Sequence, residues 1–407
     1  MASYRERHPA RFLPDALRGS ARRFAAVGVL PVYDEEEELA KMLPSLAVSL
    51  AAAAREIAVF VVFNHPEGAP RSAIGANAAA AARLTASDPA LCGSLRHGEN
   101  LFVIDLGENR DGVGMARKAG MDAALAVLDE AAPGGGLLAS LDADAPVSPD
   151  YWRKLVAWSE VHASYAGSVV HFEHRFPSDP ALRLAGQCYE LYLRDYARRC
   201  RECGSRYGFW TLGSAFAVHA RDYQRAGGMR RRAGGEDFYF LEALRKVGRV
   251  GLVPEATVYP SGRPSARVPF GTGPAVRRLA AEPERAKLAN PACFAELSRL
   301  YRSAEDVDYE ELADLPSFLR GSRVGQFLAE QYDFAAVWPK VVRNTPRRKG
   351  ALLDALHCFA DGLFMLRFCH YLEESEPERF APVPIAGDVG KLLAEARKRD
   401  RALTDFV

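Results

Sequence analysis

The sequence predicts a doubly wound α/β fold with a mixed sheet, followed by a mostly helical C-terminal region. Continuous apolar runs of strand length occur at 26–33, 57–63 and 136–141, and such runs are typical of strands that are buried on both faces. Segments with helical character separate these runs, and strands that alternate with helices build a parallel sheet. From about residue 275 the apolar pattern becomes mostly helical.

The first part of the chain contains four predicted strands. They cover 26–33, 57–63, 100–106 and 136–141. Asp34 is predicted to cap an acidic helix that runs on toward residue 54, with Glu35 to Glu38 in its first turn. A loop and an alanine-rich helix are predicted between the second and third strands. A glycine-containing loop leads into a further helix over 112–130. Ser148, followed by proline, predicts the start of another helix that ends near residue 162.

Three further strands and two helices are predicted beyond residue 162. The strands cover 168–172, 211–219 and 250–259, the helices cover 182–203 and 236–247, and a loop rich in proline, glycine and arginine covers 260–274. Gly248 is a typical helix stop. We therefore divide the chain into a polar N-terminal segment (1–23), an α/β domain (24–275) and a helical C-terminal region (276–407).

Composition restricts the class of protein. Of 407 residues, 48% are hydrophobic and 26% charged, which is typical of a globular chain. The net charge of +1 gives the whole molecule no electrostatic bias toward nucleic acid. Seven cysteines without a disulfide framework, no secretory signal and no apolar run of spanning length predict a cytoplasmic protein. Peripheral contact with the inner face of a membrane remains open.

Two carboxylates directly follow the predicted strand at 136–141. Asp142 and Asp144 flank a single alanine, at the strand end where open α/β sheets bind ligands. Carboxylates are hard ligands for Mg²⁺ or Mn²⁺, and such an ion could hold the diphosphate of an activated substrate. The alternative is a capping role, but Ser148 already supplies a cap for the next helix.

Other motifs are compatible with a nucleotide site, although each also has a simple structural interpretation. Pro31, Tyr33 and Glu35 end the first strand, where side chains can contact a nucleotide. The loop at 109–118 enters a helix whose first amides can bind an anion, with Arg117 adding charge. It is neither a Walker A loop nor a dinucleotide fingerprint, and taken alone it is better explained as a tight turn with a solvated basic face.

A second acidic motif occurs later in the chain. Glu236 and Asp237 follow paired glycines and begin a helix, whose dipole favours an ionised carboxylate. A positioned aspartate can take a proton from an attacking hydroxyl, although both acids can also merely decorate a helix start. Gly213 and Ser214 lie on a small-residue strand that permits close approach of a ligand, and we place them on the acceptor side with Glu236.

Two arginine clusters could bind phosphate. Arg263 and Arg267 lie in the loop after the last strand, and three consecutive arginines occupy 230–232. Arginine suits phosphate, while solvated surface is the alternative for both clusters. We favour Arg263 and Arg267, because a Gly/Pro-rich loop near a strand end positions them better.

The order of these motifs is similar to that in the family 2 glycosyltransferases of the GT-A fold, over roughly residues 24–265. The segments that carry the resemblance are Pro31-Val32-Tyr33-Asp34-Glu35, the loop and helix at 109–130, Asp142-Ala143-Asp144, Gly213-Ser214, Gly227-Gly228 and Glu236-Asp237. Together their order and spacing are specific. The Gln-x-x-Arg-Trp signature of processive membrane synthases is absent from the sequence, so a polymerising membrane enzyme is not expected.

The resemblance implies a nucleotide-sugar donor bound by the end of the first strand and the Asp-Ala-Asp loop. It assigns Asp144 as the metal ligand, Asp142 as a ribose or second metal contact, and Asp237 as the catalytic base of an inverting enzyme. The family's acidic segment after the second strand is replaced here by Phe63-Asn64-His65. Asn64 can still hydrogen-bond a base, but the nucleotide stays open.

We therefore predict transfer of a sugar from a nucleotide-diphosphate-sugar donor to a hydroxyl on a glycan, a lipid or a small molecule, with Mn²⁺ or Mg²⁺ as cofactor. Inversion is expected and retention remains open. One alternative is a nucleotide-sugar-binding scaffold without catalysis. Another is a nucleotidyltransferase, which should carry a basic glycine-rich loop after the first strand, where this chain is acidic. A third makes the helical C-terminal region the working domain.

Overall fold

The computed structural model describes residues 3–265 and 270–404. The chain forms two compact units. Among the described residues, the first unit comprises 3–190, 211–283 and 393–404, and the second comprises 191–210 and 284–392. The division predicted from the sequence, after residues 23 and 275, stays a prediction.

A central sheet forms the framework of the first unit. Its strands are β1 (Ala26–Val32), β2 (Ile57–His65), β3 (Leu101–Glu108), β4 (Leu137–Ser140), β5 (Gly167–Phe172), β6 (Phe216–His219) and β7 (Val250–Val258). Within the described part of the chain, this sheet has seven strands in the order β3-β2-β1-β4-β6-β5-β7. Strand β6 runs antiparallel to both β4 and β5, and the other pairs are parallel. The predicted α/β fold with a mixed sheet is confirmed.

Helices precede, connect and follow these strands. They are α1 (Tyr4–Arg7), α2 (Glu36–Ala51), α3 (Arg71–Thr85), α4 (Pro89–Cys92), α5 (Gly112–Ala124), α6 (Tyr151–Val161), α7 (Pro180–Glu202), α8 (Ala220–Arg225), α9 (Glu236–Val247) and α10 (Thr272–Ala281). Short 3₁₀ turns occupy Asp15–Leu17, Pro133–Gly135 and Pro283–Arg285. Helix α7 begins in the first unit, and its residues from Leu191 onward belong to the second.

The second unit is mainly helical, as predicted. Besides the end of α7 it contains α11 (Pro291–Asp306), α12 (Tyr309–Ala313), α13 (Leu315–Phe318), α14 (Arg323–Tyr332), α15 (Phe334–Arg343), α16 (Lys349–Phe359), α17 (Gly362–Ser375), α18 (Pro377–Phe380) and a short hairpin of β8 (Lys287–Leu288) and β9 (Val383–Pro384). Phe327 packs against Phe364 and Phe368 in its core. The final helix, α19 (Val389–Arg401), belongs to the first unit from Leu393 onward.

Close packing of α5 on the sheet fixes the helix that bears Arg117. All seven residues of β1 are buried. A Cβ atom added at Gly120 would lie 2.4 Å from Val29 Cγ1 and 2.9 Å from Val62 Cγ2. Only a glycine therefore lets α5 approach β1 and β2 this closely.

Local capping differs from the sequence predictions in two places. Asp34 does not cap α2, because its backbone is left-handed (φ 53°) and the helix begins one residue later than predicted, after Glu35. Ser148 does not cap α6, because its hydroxyl contacts Asp150 and the amide of Thr257 instead. In both places a tertiary contact or loop conformation replaces the expected local one.

Several element ends also differ from the prediction. Strand β6 begins only at Phe216, so the small-residue segment from 211 is a loop, and α5 ends at Ala124 rather than 130. Helix α10 begins at Thr272, within the predicted loop at 260–274. In the part of the chain that the structure describes, no helix is both long and apolar enough to cross a membrane.

Candidate active site

The predicted site residues converge on one edge of the sheet. Strands β1 and β4 are parallel neighbours, with Val29 beside Ser140. The segments that follow them, at 33–35 and 141–144, therefore leave the sheet side by side at its carboxyl edge. This is the edge at which open α/β sheets bind ligands.

The guanidinium of Arg117 donates hydrogen bonds to several of these segments from within the protein. Its Nη2 donates to Asp142 Oδ1 at 2.5 Å, and its Nε donates to Glu236 Oε1 at 2.9 Å. Its Nη1 donates to Ser140 Oγ at 2.9 Å and to the Leu141 carbonyl at 3.0 Å. The side chain is only 3% exposed. Burial disfavours the charged guanidinium, but Asp142 and Glu236 outweigh it and raise the pKa of Arg117.

Gly213 lies against this guanidinium. Its carbonyl accepts a 2.6 Å hydrogen bond from Ser140 Oγ. A Cβ atom added at Gly213 would lie 2.4 Å from Arg117 Nη2 and 3.5 Å from Asp237 Oδ2. The glycine thus leaves the space that Arg117 fills beside Asp237. Ser214, the other predicted acceptor-side residue in this segment, is buried.

Asp237 lies in the first turn of α9, at the predicted position. Gly235 enters the helix in a left-handed conformation (φ 71°), which glycine adopts without strain. Asp237 Oδ1 accepts from the amide of Phe238 at 2.8 Å. Burial and the neighbouring carboxylate of Glu236 raise its pKa to about 7, against the opposing charge of Arg117. Such a carboxylate can exchange a proton near neutral pH.

A second cluster of charges lies at the ends of β1 and β4. Arg263 Nη2 contacts the carboxylate of Glu35 and lies 3.6 Å from Asp144 Oδ2. Arg175 Nη2 donates to Glu38 Oε2 at 2.7 Å and to the Asp144 carbonyl at 2.8 Å. The Arg263 side chain is 33% exposed and that of Asp144 is 26% exposed. This cluster therefore borders solvent, and we call it the Arg263 cluster.

The sequence did not point to Glu38 or Arg175 as members of this cluster. Burial opposes ionisation of Glu38, but hydrogen bonds from Lys41 and Arg175 outweigh it and lower its pKa. The available signal for Glu38 was its place as the last of five consecutive acids, which begin at Asp34. Arg175 gave no signal, because it follows β5 on a segment without a motif.

Asp142 and Asp144 can bind one divalent ion only if a bound ligand supplies further oxygen atoms. Asp142 Oδ1 is held by Arg117, and among described residues no group of three His, Cys, Asp or Glu side chains could hold a metal. Mg²⁺ usually takes one or two protein carboxylates and completes its shell with water and substrate phosphates. Asp144, half-buried at the edge, fits that kind of site, and it fits a dedicated all-protein cage poorly.

Asn64 is engaged inside the protein. Its Nδ2 donates to the Val32 carbonyl at 3.1 Å, and Asn77 Nδ2 donates to the Asn64 carbonyl at 3.0 Å. Asn77 Oδ1 also accepts from the amide of Asp34. These amides fix the turn that carries Tyr33, so contact of Asn64 with a base remains a prediction. Sequence reasoning missed Asn77, whose only signal is a polar residue in an alanine-rich helix.

The Gly114 amide at the start of α5 is already bound within the protein. It donates to the Arg232 carbonyl at 3.0 Å, and a Cβ atom at Gly114 would lie 2.4 Å from the Arg230 carbonyl oxygen. Gly114 therefore serves backbone packing, and anion binding by this loop stays a prediction. Arg232 stacks over the ring of Tyr239 at 3.9 Å.

The remaining predicted residues lie at the site edge, beneath it, or outside the described residues. Pro31 is buried within β1, and Tyr33 follows the strand with a partly exposed side chain. Arg267 lies outside the described residues. Arg117 and Glu236 are brought to the site, but both are buried beneath it, so their roles as direct donor and acceptor contacts stay predictions.

Comparisons with known proteins give structural likeness only. No family model matches the sequence, and no curated protein matches it. The structure of S. aureus TarS matches 82% of this chain and 55% of that chain, at 13% identity and a TM-score of 0.38. This chain thus spans about half the length of that structure.

Two further matches cover most of both chains. S. aureus TarS 1-349 in complex with UDP matches 82% of this chain and 90% of that chain, at 13% identity and a TM-score of 0.39. The mannosyltransferase PcManGT from Pyrobaculum calidifontis, in complex with GDP-Man and Mn²⁺, matches 86% and 89%, at 16% identity and a TM-score of 0.36. The last of these is a mannosyltransferase by its printed name, and at these TM-scores the likeness assigns no activity to this chain.

Proposed function

We propose that this protein is a metal-dependent glycosyltransferase of the family 2 type on a GT-A architecture. It would transfer a sugar from a nucleotide-diphosphate donor to a hydroxyl on a glycan, a lipid or a small molecule, with inversion. One observation carries the proposal. A single buried side chain, Arg117, contacts both Asp142 of the Asp-Ala-Asp loop and Glu236 beside Asp237, so a phosphate-side carboxylate and a candidate base share one edge of the sheet.

On the donor side, Asp144 would hold Mn²⁺ or Mg²⁺ together with diphosphate oxygens and water, with Asp142 as the nearest second carboxylate. The ion would supply neutralisation of the charge that develops on the departing diphosphate. Arg263 is close enough to Asp144 to contact the same phosphates, because its guanidinium already lies 3.6 Å from that carboxylate.

The nucleotide would lie along the end of β1. In this proposal Pro31, Tyr33 and Glu35 form the floor of the pocket, and Asn64 contributes from the end of β2. Arg267 stays a donor-binding residue predicted from the sequence alone. The side chain of Tyr33 is partly exposed there, as a residue that stacks on a base must be.

On the acceptor side, Asp237 would accept the proton of the attacking hydroxyl. The hydroxyl oxygen forms a bond to the anomeric carbon while the bond to the diphosphate oxygen breaks on the opposite face, which inverts the configuration. A pKa near 7 allows Asp237 to be ionised before transfer and to hold the proton after it. Gly213 and Ser214 would line the approach of the acceptor.

Thermal stabilisation by ligands tests the donor side of this proposal. The purified protein is heated with UDP-, GDP-, CMP- and dTDP-sugars, each with and without Mn²⁺, and the melting temperatures are compared. We expect one nucleotide to raise the melting temperature more with Mn²⁺ than without it. Asp144→Asn should abolish that metal-dependent part, whereas Asp15→Asn, an exposed acid in the N-terminal segment, should keep it. A full metal effect in Asp144→Asn would contradict the metal assignment.

Transfer by Asp237→Asn tests the acceptor side. We expect the donor to stabilise this variant as it stabilises the wild type, while the rate of transfer falls by about 10²–10⁴-fold, the usual contribution of a general base. Sugar transfer at the wild-type rate would show that Asp237 is not the base. Stabilisation by the donor with no transfer by the wild type would instead favour a binding scaffold without catalysis.

A further inference from the structure

Arg117 occupies a position that a ligand-binding arginine would not need. It is 2% exposed. Four of its five N–H groups already donate to protein acceptors: Glu236, Ser140, the Leu141 carbonyl and Asp142. Because the side chain is buried, contact with a donor phosphate would require it to move away from these partners and to leave the buried carboxylate of Glu236 without a counter-charge, which is strongly unfavourable.

We propose that Arg117 is a positioning residue, which sets the distance and orientation of the base-bearing turn of α9 relative to the metal loop after β4. This inference rests on the proposed function. It replaces the expectation that Arg117 binds the donor, and it gives Glu236 a role as the anchor of Arg117 instead of an acceptor contact. Arg117 would thus contribute to the chemical step without touching either substrate.

The contacts form one continuous chain across the site. Asp142 is two residues from the metal ligand Asp144, and Glu236 is adjacent to the base Asp237. Arg117 pairs with both Asp142 and Glu236. The position of Arg117 is itself fixed, because Gly120 seats α5 directly on β1 and β2. The sheet, the metal loop and the base are therefore held together by a single guanidinium.

The shape of the guanidinium matters here as well as its charge. Its planar fork directs separate N–H groups toward acceptors on β4, on the loop after β4 and on α9. A lysine ammonium keeps the charge but is a compact donor that cannot reach all of these acceptors from one place. Gly213 supports the same interpretation, since any side chain there would displace Arg117 Nη2.

The test is Arg117→Lys, assayed for kcat, for the KM of the donor and for melting temperature. We expect kcat to fall by about 10- to 100-fold, since misplacement of a catalytic group by about 1 Å has an effect of this size. The donor KM should change by less than about threefold. Ser140→Ala removes one acceptor of Arg117 with little change in volume, and it should show a smaller loss confined to kcat.

Lys118→Met provides a matched control on the same helix. Lys118 is also buried, at 6% exposed, but it pairs with Asp122 and Tyr4 and not with the site. We expect this variant to lose melting temperature as Arg117→Lys does and to keep the wild-type kcat. A comparable fall of kcat in Lys118→Met would show that the lower kcat of Arg117→Lys comes from general destabilisation. That result would overturn the proposal.

Two other results would also overturn it. One is a donor KM raised tenfold or more in Arg117→Lys with an unchanged kcat, which would make Arg117 a donor ligand. The other is an unchanged kcat in both Arg117→Lys and Ser140→Ala. Absence of transfer by the wild type itself would remove the proposed function, and this inference with it, so the two failures are distinguishable.

Discussion

Two arginines at the same edge of the sheet are surrounded by carboxylates, yet they are built differently. The side chain of Arg117 is 3% exposed, whereas that of Arg263 is 33% exposed. A buried guanidinium cannot leave its partners without leaving an uncompensated buried charge, whereas a guanidinium that is one third exposed can turn toward solvent at lower cost. The difference teaches that Arg117 is part of the packed framework at this edge and that Arg263 borders solvent.

The largest expected loss of stability comes from removing Arg117, and removal of Arg263 is the comparison. Arg117→Met leaves Asp142 and Glu236 without a counter-charge, so the free energy of unfolding should fall by about 3–5 kcal/mol. Arg263→Met should lower it by less, about 1–3 kcal/mol, because Glu35 is only 11% exposed and loses a charged partner, whereas Asp144 is 26% exposed and partly solvated. Urea denaturation of both variants measures the contrast. Equal losses would show that burial does not separate the two arginines.

A smaller loss of stability is expected when a side chain is added in the space that Arg117 fills. The added methyl group of Gly213→Ala would lie 2.4 Å from Arg117 Nη2, and overpacking of this kind costs about 1–3 kcal/mol. Gly75→Ala is the matched control, because a Cβ atom there meets nothing within 4 Å. This control lies in a helix and should be stabilised by about 0.5–1 kcal/mol. Wild-type stability in Gly213→Ala would mean that Arg117 moves freely.

The smallest expected effect is the dependence on pH. In the proposed mechanism Asp237 acts when ionised, and its pKa is raised to about 7, so kcat/KM should be half-maximal near pH 7, flat well above it and fall about tenfold per unit well below it. Glu236 and Asp237 are adjacent acids, so the midpoint belongs to the pair. Rates of transfer between pH 5 and 8, with donor binding measured at each pH, test this. A flat profile below pH 7 would remove Asp237 from the base role.

The same shift has a consequence for stability with the opposite sign. A raised pKa means that the folded protein holds this proton more firmly than the unfolded chain does. The protonated form of Asp237 therefore contributes stability that is fully present below about pH 4. This stabilisation is lost as the pH rises toward 7, and it is absent above pH 7. We expect Asp237→Asn, which stays neutral, to be more stable than the wild type at pH 8.

Much of the fold could be predicted because its signals are local. The continuous apolar runs of β1 and β2 and the periodic pattern of α9 are properties of short segments, and α9 has the predicted bounds, Glu236–Val247. The predictions that Asp34 and Ser148 cap helices were wrong, because capping here depends on contacts that are not local. The Ser148 hydroxyl contacts Thr257 on a distant strand, and that competing partner has no trace in the sequence around Ser148.

The sequence by itself determined the strand-and-helix alternation, the mostly helical character of the chain beyond residue 275 and the residues that can do chemistry, because periodicity and residue type are written in short stretches of chain. Only the tertiary structure decided which of those residues are buried and which border solvent. In the sequence, Arg117 and Arg263 look alike, because each follows a predicted strand and a glycine-containing segment. Burial separates them, and burial depends on what α5, β4 and α9 place around a side chain, over separations of more than one hundred residues.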